Sequence, residues 1–200
     1  MQKVSLLITT YNVKDHLTVT LESIEAQDYG SIELVIVDGG STDGTAAVIR
    51  GFAAKYPDGK GQSDGDAAIS VRWVSEPDRG LYDAMNKAWS MSSGDIVAVC
   101  NDKLCMPDAV TKLVRAIEQG GDGCIGAHSD LVYTDGERIV RSWHMGEGRL
   151  KDGWMPGHPT LFLKRQIYDK YGTYDISYRC AADYEFMVRF LKDEKNRLAY

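Results

Sequence analysis

Two hydropathy patterns alternate through the first 120 residues of this chain. Short continuous apolar runs occur as "VSLLITT" over 4–10, "IELVIVD" over 32–38, "ISVRWVSE" over 69–76 and "DIVAVC" over 95–100. Runs without polar alternation predict strands covered on both faces. Each is followed by apolar residues at helical spacing. "DHLTVTLESIEAQ" (15–27) places Leu17, Leu21 and Ile24 on one face, with Asp15 as its expected N-cap. "STDGTAAVIRGFAAKY" (41–56) predicts a second helix opened by a Ser-Thr-Asp cluster. "GLYDAMNKAWSMSSG" (80–94) predicts a third, with Leu81, Met85, Ala88 and Trp89 on one face. "PDAVTKLVRAIEQG" (107–120) predicts a fourth, with Pro107 near its first turn. Strand then helix, four times over, predicts an α/β fold: a doubly wound, mostly parallel sheet with helices on both faces.

Past Gly120 the rhythm changes. The segment 123–143, "GCIGAHSDLVYTDGERIVRSW", reads as a hairpin turning at "TDGE". "HPTLFLKRQIYDKYG" (158–172) predicts a strand leading into a short helix, and "AADYEFMVRFLKDE" (181–194) a last helix with Ala182, Phe186, Arg189 and Phe190 on one face. Between Pro57 and Ala68 the glycine- and aspartate-rich "PDGKGQSDGDAA" has no periodicity and reads as a loop. No internal repeat divides the chain, so one domain over 1–200 is expected.

Composition narrows the function. A net charge of −6 disfavours broad binding to nucleic acid, while leaving room for a small anionic ligand. Cys100, Cys105, Cys124 and Cys180 form no CxxC pair and no zinc-like cluster, so free thiols in a reducing cytoplasm are the expectation. The apolar run after Lys3 is too short for a signal peptide or a spanning helix.

Ligands of doubly wound sheets bind outside the carboxyl ends of the strands. The segments expected there are "TTYN" (9–12), "DGGSTDGT" (38–45), "SEPDRG" (75–80) and "NDKL" (101–104). Neither GxGxxG after the first strand nor GxxxxGK[ST] is present, which disfavours dinucleotide-oxidoreductase and P-loop chemistry. Tyr11 could stack on a nucleobase. Thr10 and Asn12 could bond base or ribose, or cap the next turn. Asp78 suits either donor binding or a helix N-terminus, and Arg79 could meet a phosphate. Asp83 and Lys87, spaced i,i+4, read as a solvated helical pair.

The pieces "SLLITTYN", "ELVIVDGGSTDGT", "SEPDRGLYDAMNKAWSMSSGDIVAVCND" and "HPTLFLKRQIYDKYGTYDISYRCAADYEFMVR" together resemble the family-two glycosyltransferases of GT-A fold, from Val4 to Arg189. The resemblance implies transfer of a sugar from a nucleotide-diphosphate donor, with inversion at the anomeric carbon. It implies a hydroxyl acceptor on a glycan or lipid-linked glycan, hence polysaccharide or cell-surface glycan synthesis. A cytoplasmic location follows, compatible with peripheral association at the inner membrane face. Family members often carry a further C-terminal segment, and the sequence leaves open whether the chain continues past Tyr200.

Carried onto single residues, the resemblance makes Asp38 the acid that bonds the base or ribose. It makes Asp183, at the start of "ADYEFMVR", the general base that takes the acceptor proton. Glu185, about 200° around the helix, faces away. His158 in "GHPT" matches a histidine near the donor pyrophosphate, where it could ligate metal, bond phosphate or satisfy a loop backbone. The family's acid cluster for a divalent metal, Mn or Mg, falls at "NDKL", which departs from the pattern. Asp102 is its one surviving acid and the expected metal ligand; Lys103 is the alternative counter-charge. That departure keeps alive a noncatalytic nucleotide-sugar-binding domain. A sugar-phosphate nucleotidyltransferase is a third reading, disfavoured because its glycine-rich basic N-terminal loop is absent.

Overall fold

The computed structural model describes residues 1–56, 68–136 and 138–200, with Ala68 by its backbone alone. The loop expected from Pro57 and the Glu137 corner of the expected turn lie outside the described residues. Strands β1 (Val4–Thr10), β2 (Ser31–Asp38), β3 (Ala68–Ser75) and β4 (Ile96–Val99) run parallel. They alternate with helices α1 (Lys14–Glu25), α2 (Thr45–Ala53), α3 (Leu81–Met91) and α4 (Ala109–Gln119). Strand β5 (Cys124–Ala127) is followed by β6 (Leu131–Asp135) and β7 (Arg138–Trp143), then β8 (Phe162–Lys164), α5 (Arg165–Tyr171), α6 (Ala182–Leu191) and β9 (Arg197–Ala199). The main sheet has seven strands in the order β3-β2-β1-β4-β8-β5-β9, and only β8 runs against its neighbours.

The unbroken apolar strands have a simple cause. Alternate β1 residues face two different cores. Val4, Leu6 and Ile8 pack with Leu17 and Leu21 of α1, Ile49 of α2 and Val110 of α4. Leu7, with Val35 and Val37 of β2, packs with Met85 of α3 and Phe186 and Phe190 of α6. Each such Leu or Ile contributes about 1.5–3 kcal/mol through burial, so Leu7→Asp would break the second core.

Three expectations are corrected. Asp15 lies inside the first turn of α1 and does not cap it. The start of α2 and the loop before it bond the start of α1 instead: Val13 N–H donates to Thr45 Oγ1 at 3.1 Å and Lys14 N–H to Asp43 Oδ2 at 3.1 Å. Leu81 is 51% exposed, and Ala84 takes its place beside Met85 and Ala88 in the core. The expected long hairpin is two structures. Buried β5 joins the main sheet, and the turn at Asp135-Gly136 joins β6 to β7 in a two-stranded ribbon of its own, β7 exposed throughout.

Candidate active site

Thr10 and Asp38 end β1 and β2 in register. Asp38 is fully buried. Its carboxylate accepts from Thr10 Oγ1 at 3.1 Å, Ser75 Oγ at 2.6 Å and Ser41 N–H at 3.0 Å, and from the Ser41 hydroxyl as well. Four donors match the acceptor capacity of a carboxylate. Burial alone would raise its pKa, but the bonds from Ser41, Ser75 and Thr10 outweigh burial and hold it below the ordinary carboxylate range. Asp38 thus ties three strand ends together from beneath. Both of its oxygens are engaged by these donors, at the floor of the cavity wall formed by Thr10 and Gly39.

Above it, Gly39 N–H donates to Thr10 O at 2.9 Å. A cavity of about 430 Å³ opens between Thr10, Tyr11 and Gly39 on one side and Pro77, Asp78 and Leu81 on the other. Tyr11 is 64% exposed. A methyl at Gly39 would sit 2.7 Å from Asp78 Oδ2 and 3.4 Å from the Tyr11 ring, so glycine keeps this wall open. Asp78 Oδ1 accepts the Gly80 N–H at 2.8 Å, at the mouth of α3. Asn12 adopts φ 53°, a left-handed conformation that asparagine tolerates. It accepts from Thr42 N–H at 2.8 Å through Oδ1 and donates its own N–H to Ser41 Oγ at 2.8 Å. Asn12 therefore stitches two loops together. Arg79 is exposed and bonds Asp83 at 2.8 Å, while Lys87 bonds Glu76 at 2.6 Å. The expected Asp83–Lys87 pair does not form, because both partners find closer opposite charges.

Helix α3 connects this cavity to Asp183. Gly80, Leu81 and Ala84 line the cavity, while the Tyr82 hydroxyl donates to Asp183 Oδ1 at 2.9 Å. Asp183 stands in the first turn of α6, after Ala181 at φ 64° and the fully buried Ala182. Tyr174 stacks on Tyr82 with ring centroids 5.9 Å apart. Its hydroxyl lies 2.8 Å from His158 Nε2. Burial pulls the His158 pKa below the ordinary histidine value, and the negative charge of Asp183 only opposes this. A neutral, half-buried His158 facing Tyr174 belongs to the support beneath Asp183. Glu185 ion-pairs with Arg189 at 2.8 Å and takes no part.

The "NDKL" turn lies at the end of β4. Asn101 Oδ1 accepts the Thr9 N–H at 2.8 Å, and its Nδ2 donates to Thr9 Oγ1 at 3.0 Å. Asp102 is exposed, its carboxylate 3.3 Å from His16 Nε2. His16 belongs to α1, which covers the sheet face opposite α3 and α6. Asp102 therefore leans toward the first turn of α1. Lys103 is exposed, and Leu104 packs on the α1 side of the core.

The sequence model described as glycosyl transferase family 2 matches residues 5–188. The chain belongs to glycosyl transferase family 2. A PGL/p-HBAD biosynthesis glycosyltransferase of Mycobacterium tuberculosis is 33% identical over 195 residues, covering 92% of this chain and 68% of that one. An uncharacterized glycosyltransferase of the same species is 31% identical over 194 residues, covering 93% and 68%. Among solved structures, S. aureus TarS 1-349 in complex with UDP-GlcNAc superposes with a TM-score of 0.72 at 18% identity, over 98% of this chain and 55% of that one. The mannosyltransferase PcManGT from Pyrobaculum calidifontis, in complex with GDP-Man and Mn2+, gives 0.66 at 20%, over 99% and 54%. These likenesses establish the GT-A fold. The chain spans about half the length of those solved structures.

In the mannosyltransferase structure Mn2+ accompanies GDP-Man. Among the described residues no three His, Cys, Asp or Glu side chains converge to hold a metal ion. A single exposed carboxylate beside an imidazole is not a closed cage, and a hard divalent cation at Asp102 would draw its remaining ligands from donor phosphates and water. A larger cavity, about 790 Å³, lies along the β9 edge against Trp154, Arg197 and Tyr200, and none of the expected site residues lines it. Among the described residues no helix is long and apolar enough to cross a membrane.

Sequence reasoning missed Tyr82, Asn86 and Tyr174. Asn86 donates to Tyr174 O at 2.7 Å and accepts the Tyr174 N–H at 2.9 Å. The available signal was the i,i+4 spacing of Tyr82 and Asn86, which puts two polar tips on one face of α3.

Proposed function

We propose that this family-2 chain transfers a sugar from a nucleoside diphosphate donor to an acceptor hydroxyl, inverting the anomeric carbon. In this reading the cavity beside Tyr11 takes the nucleotide, with the exposed ring stacking on the base and Asp78 facing the ribose. Asp183 takes the proton of the acceptor hydroxyl as its oxygen attacks the anomeric carbon. The bond to the diphosphate breaks on the opposite side, and the nucleoside diphosphate departs with the electron pair. One observation carries the reading: the first turns of α3 line the cavity and hold Asp183 through Tyr82. The donors bound in the structural neighbours, UDP-GlcNAc and GDP-Man, support a nucleotide-sugar substrate. The name of the mycobacterial relative supports a role in assembling a cell-surface glycan on a glycan or lipid-linked acceptor. The Mn2+ that accompanies GDP-Man in one neighbour supports a divalent cation bound with the donor, which Asp102 would hold together with the donor phosphates.

The departure of "NDKL" from the family's acid cluster carries a second reading, a noncatalytic nucleotide-sugar-binding domain. Release of nucleoside diphosphate from UDP-N-acetylglucosamine, UDP-glucose and GDP-mannose separates the two. Transferase chemistry predicts slow release from one donor, and its loss by about 10²–10⁴-fold in Asp183→Asn with nucleotide affinity kept. Nucleotide binding without any release by the unaltered chain would support the noncatalytic domain.

A further inference from the structure

We propose that Tyr82 is the positioning residue of Asp183, its hydroxyl fixing Oδ1 so that Oδ2 is presented to the acceptor. The inference rests on the reading of Asp183 as general base. An aspartate carboxylate turns freely about its last torsion unless something holds it. Helix α6 has no side-chain cap of its own. The Tyr82 hydroxyl, arriving from α3, bonds Asp183 Oδ1 at 2.9 Å.

Tyr82 is itself held. Its ring stacks on Tyr174, centroids 5.9 Å apart and planes inclined by 30°. Asn86, one turn along α3, clamps the Tyr174 backbone through both its N–H and its carbonyl. Two positions on one helix face thus grip a single aromatic residue, and that residue fixes the ring whose hydroxyl fixes the carboxylate. Burial, then the bond to Asp183, keeps the phenol above its ordinary pKa. Tyr82 accordingly remains a neutral donor across the working pH range. The arrangement follows the general logic of a base oriented by a third group.

The test is Tyr82→Phe, which keeps the ring and its stacking and removes only the hydroxyl. The expected result is a fall in kcat of about 10–100-fold, the worth of a hydrogen bond to a charged group. The dissociation constant for the nucleoside diphosphate should stay within about twofold. In the Asp183→Asn background the same change should be nearly silent, since the group it positions is gone. A merely structural role would instead lower the melting temperature and act equally in both backgrounds, which would overturn the inference. Turnover within about twofold of the unaltered chain, while Asp183→Asn is inactive, would overturn it and leave the base intact. Normal turnover by Asp183→Asn would remove the base, and this inference with it. Should Tyr82→Phe fail to fold, Tyr82→Met supplies the same comparison.

Discussion

Asp38 gives the sharpest stability test. Four donors converge on a carboxylate with no exposed surface, from Thr10, Ser75 and twice from Ser41. In Asp38→Ala these donors lose their acceptor, but not equally. Ser75 is exposed and Ser41 half-buried, so both regain water, whereas Thr10 is 6% exposed and its hydroxyl stays dry. One stranded donor plus the loss of charge-assisted bonds amounts to about 3 kcal/mol. For a chain of this size that lowers the melting temperature by about 6–12 °C. Asp38→Asn keeps the shape but loses the charge, and it reports on pH. The folded pKa of Asp38 is depressed, so its stabilisation is present above the ordinary carboxylate pKa and is lost as pH falls through the folded value. The gap in melting temperature between the unaltered chain and Asp38→Asn should therefore be widest near neutrality and close below about pH 4. Thermal melts over a pH series measure it. A change under about 2 °C in Asp38→Ala, or a gap that widens in acid, refutes the argument.

Two further outcomes follow from the site. Gly39→Ala pushes a methyl against Asp78 Oδ2 at 2.7 Å, so Asp78 must swing into the cavity. UDP or GDP affinity should fall by about tenfold at nearly constant melting temperature, and unchanged affinity by calorimetry would reject the cavity as the nucleotide pocket. Millimolar Mn2+ alone should leave the melting temperature unmoved, since no three-ligand cluster awaits it among the described residues. A rise of several degrees that disappears in Asp102→Ala would show Asp102 holding the cation without donor phosphates.

The parallel half of the sheet was legible because burial on both faces writes itself as unbroken apolar runs in β1, β2 and β4. Direction is not written that way. "FLK" in β8 opens with two buried apolar residues like its neighbours, and pairing with β4 and β5 is what shows that it runs backwards. Strand β9, three residues long, carries too short a pattern to register. Asp183 could be named through the family resemblance, whereas its partner lies 101 residues earlier and no local period links them. The direction of the Asp102 side chain was hidden for a related reason. A strand end locates a residue along the sheet, but His16 on α1 decides which way its carboxylate turns.

The stitching between the first two loops has a thermodynamic consequence. Asn12 and Ser41, Asn12 and Thr42, Lys14 and Asp43, and Val13 and Thr45 are joined by hydrogen bonds before any ligand arrives. A nucleotide entering beside Tyr11 meets a wall whose backbone is already ordered, so little conformational entropy is lost there on association. Its binding heat capacity should then report only the apolar area that the base covers, without the large negative excess that accompanies a loop folding around its ligand.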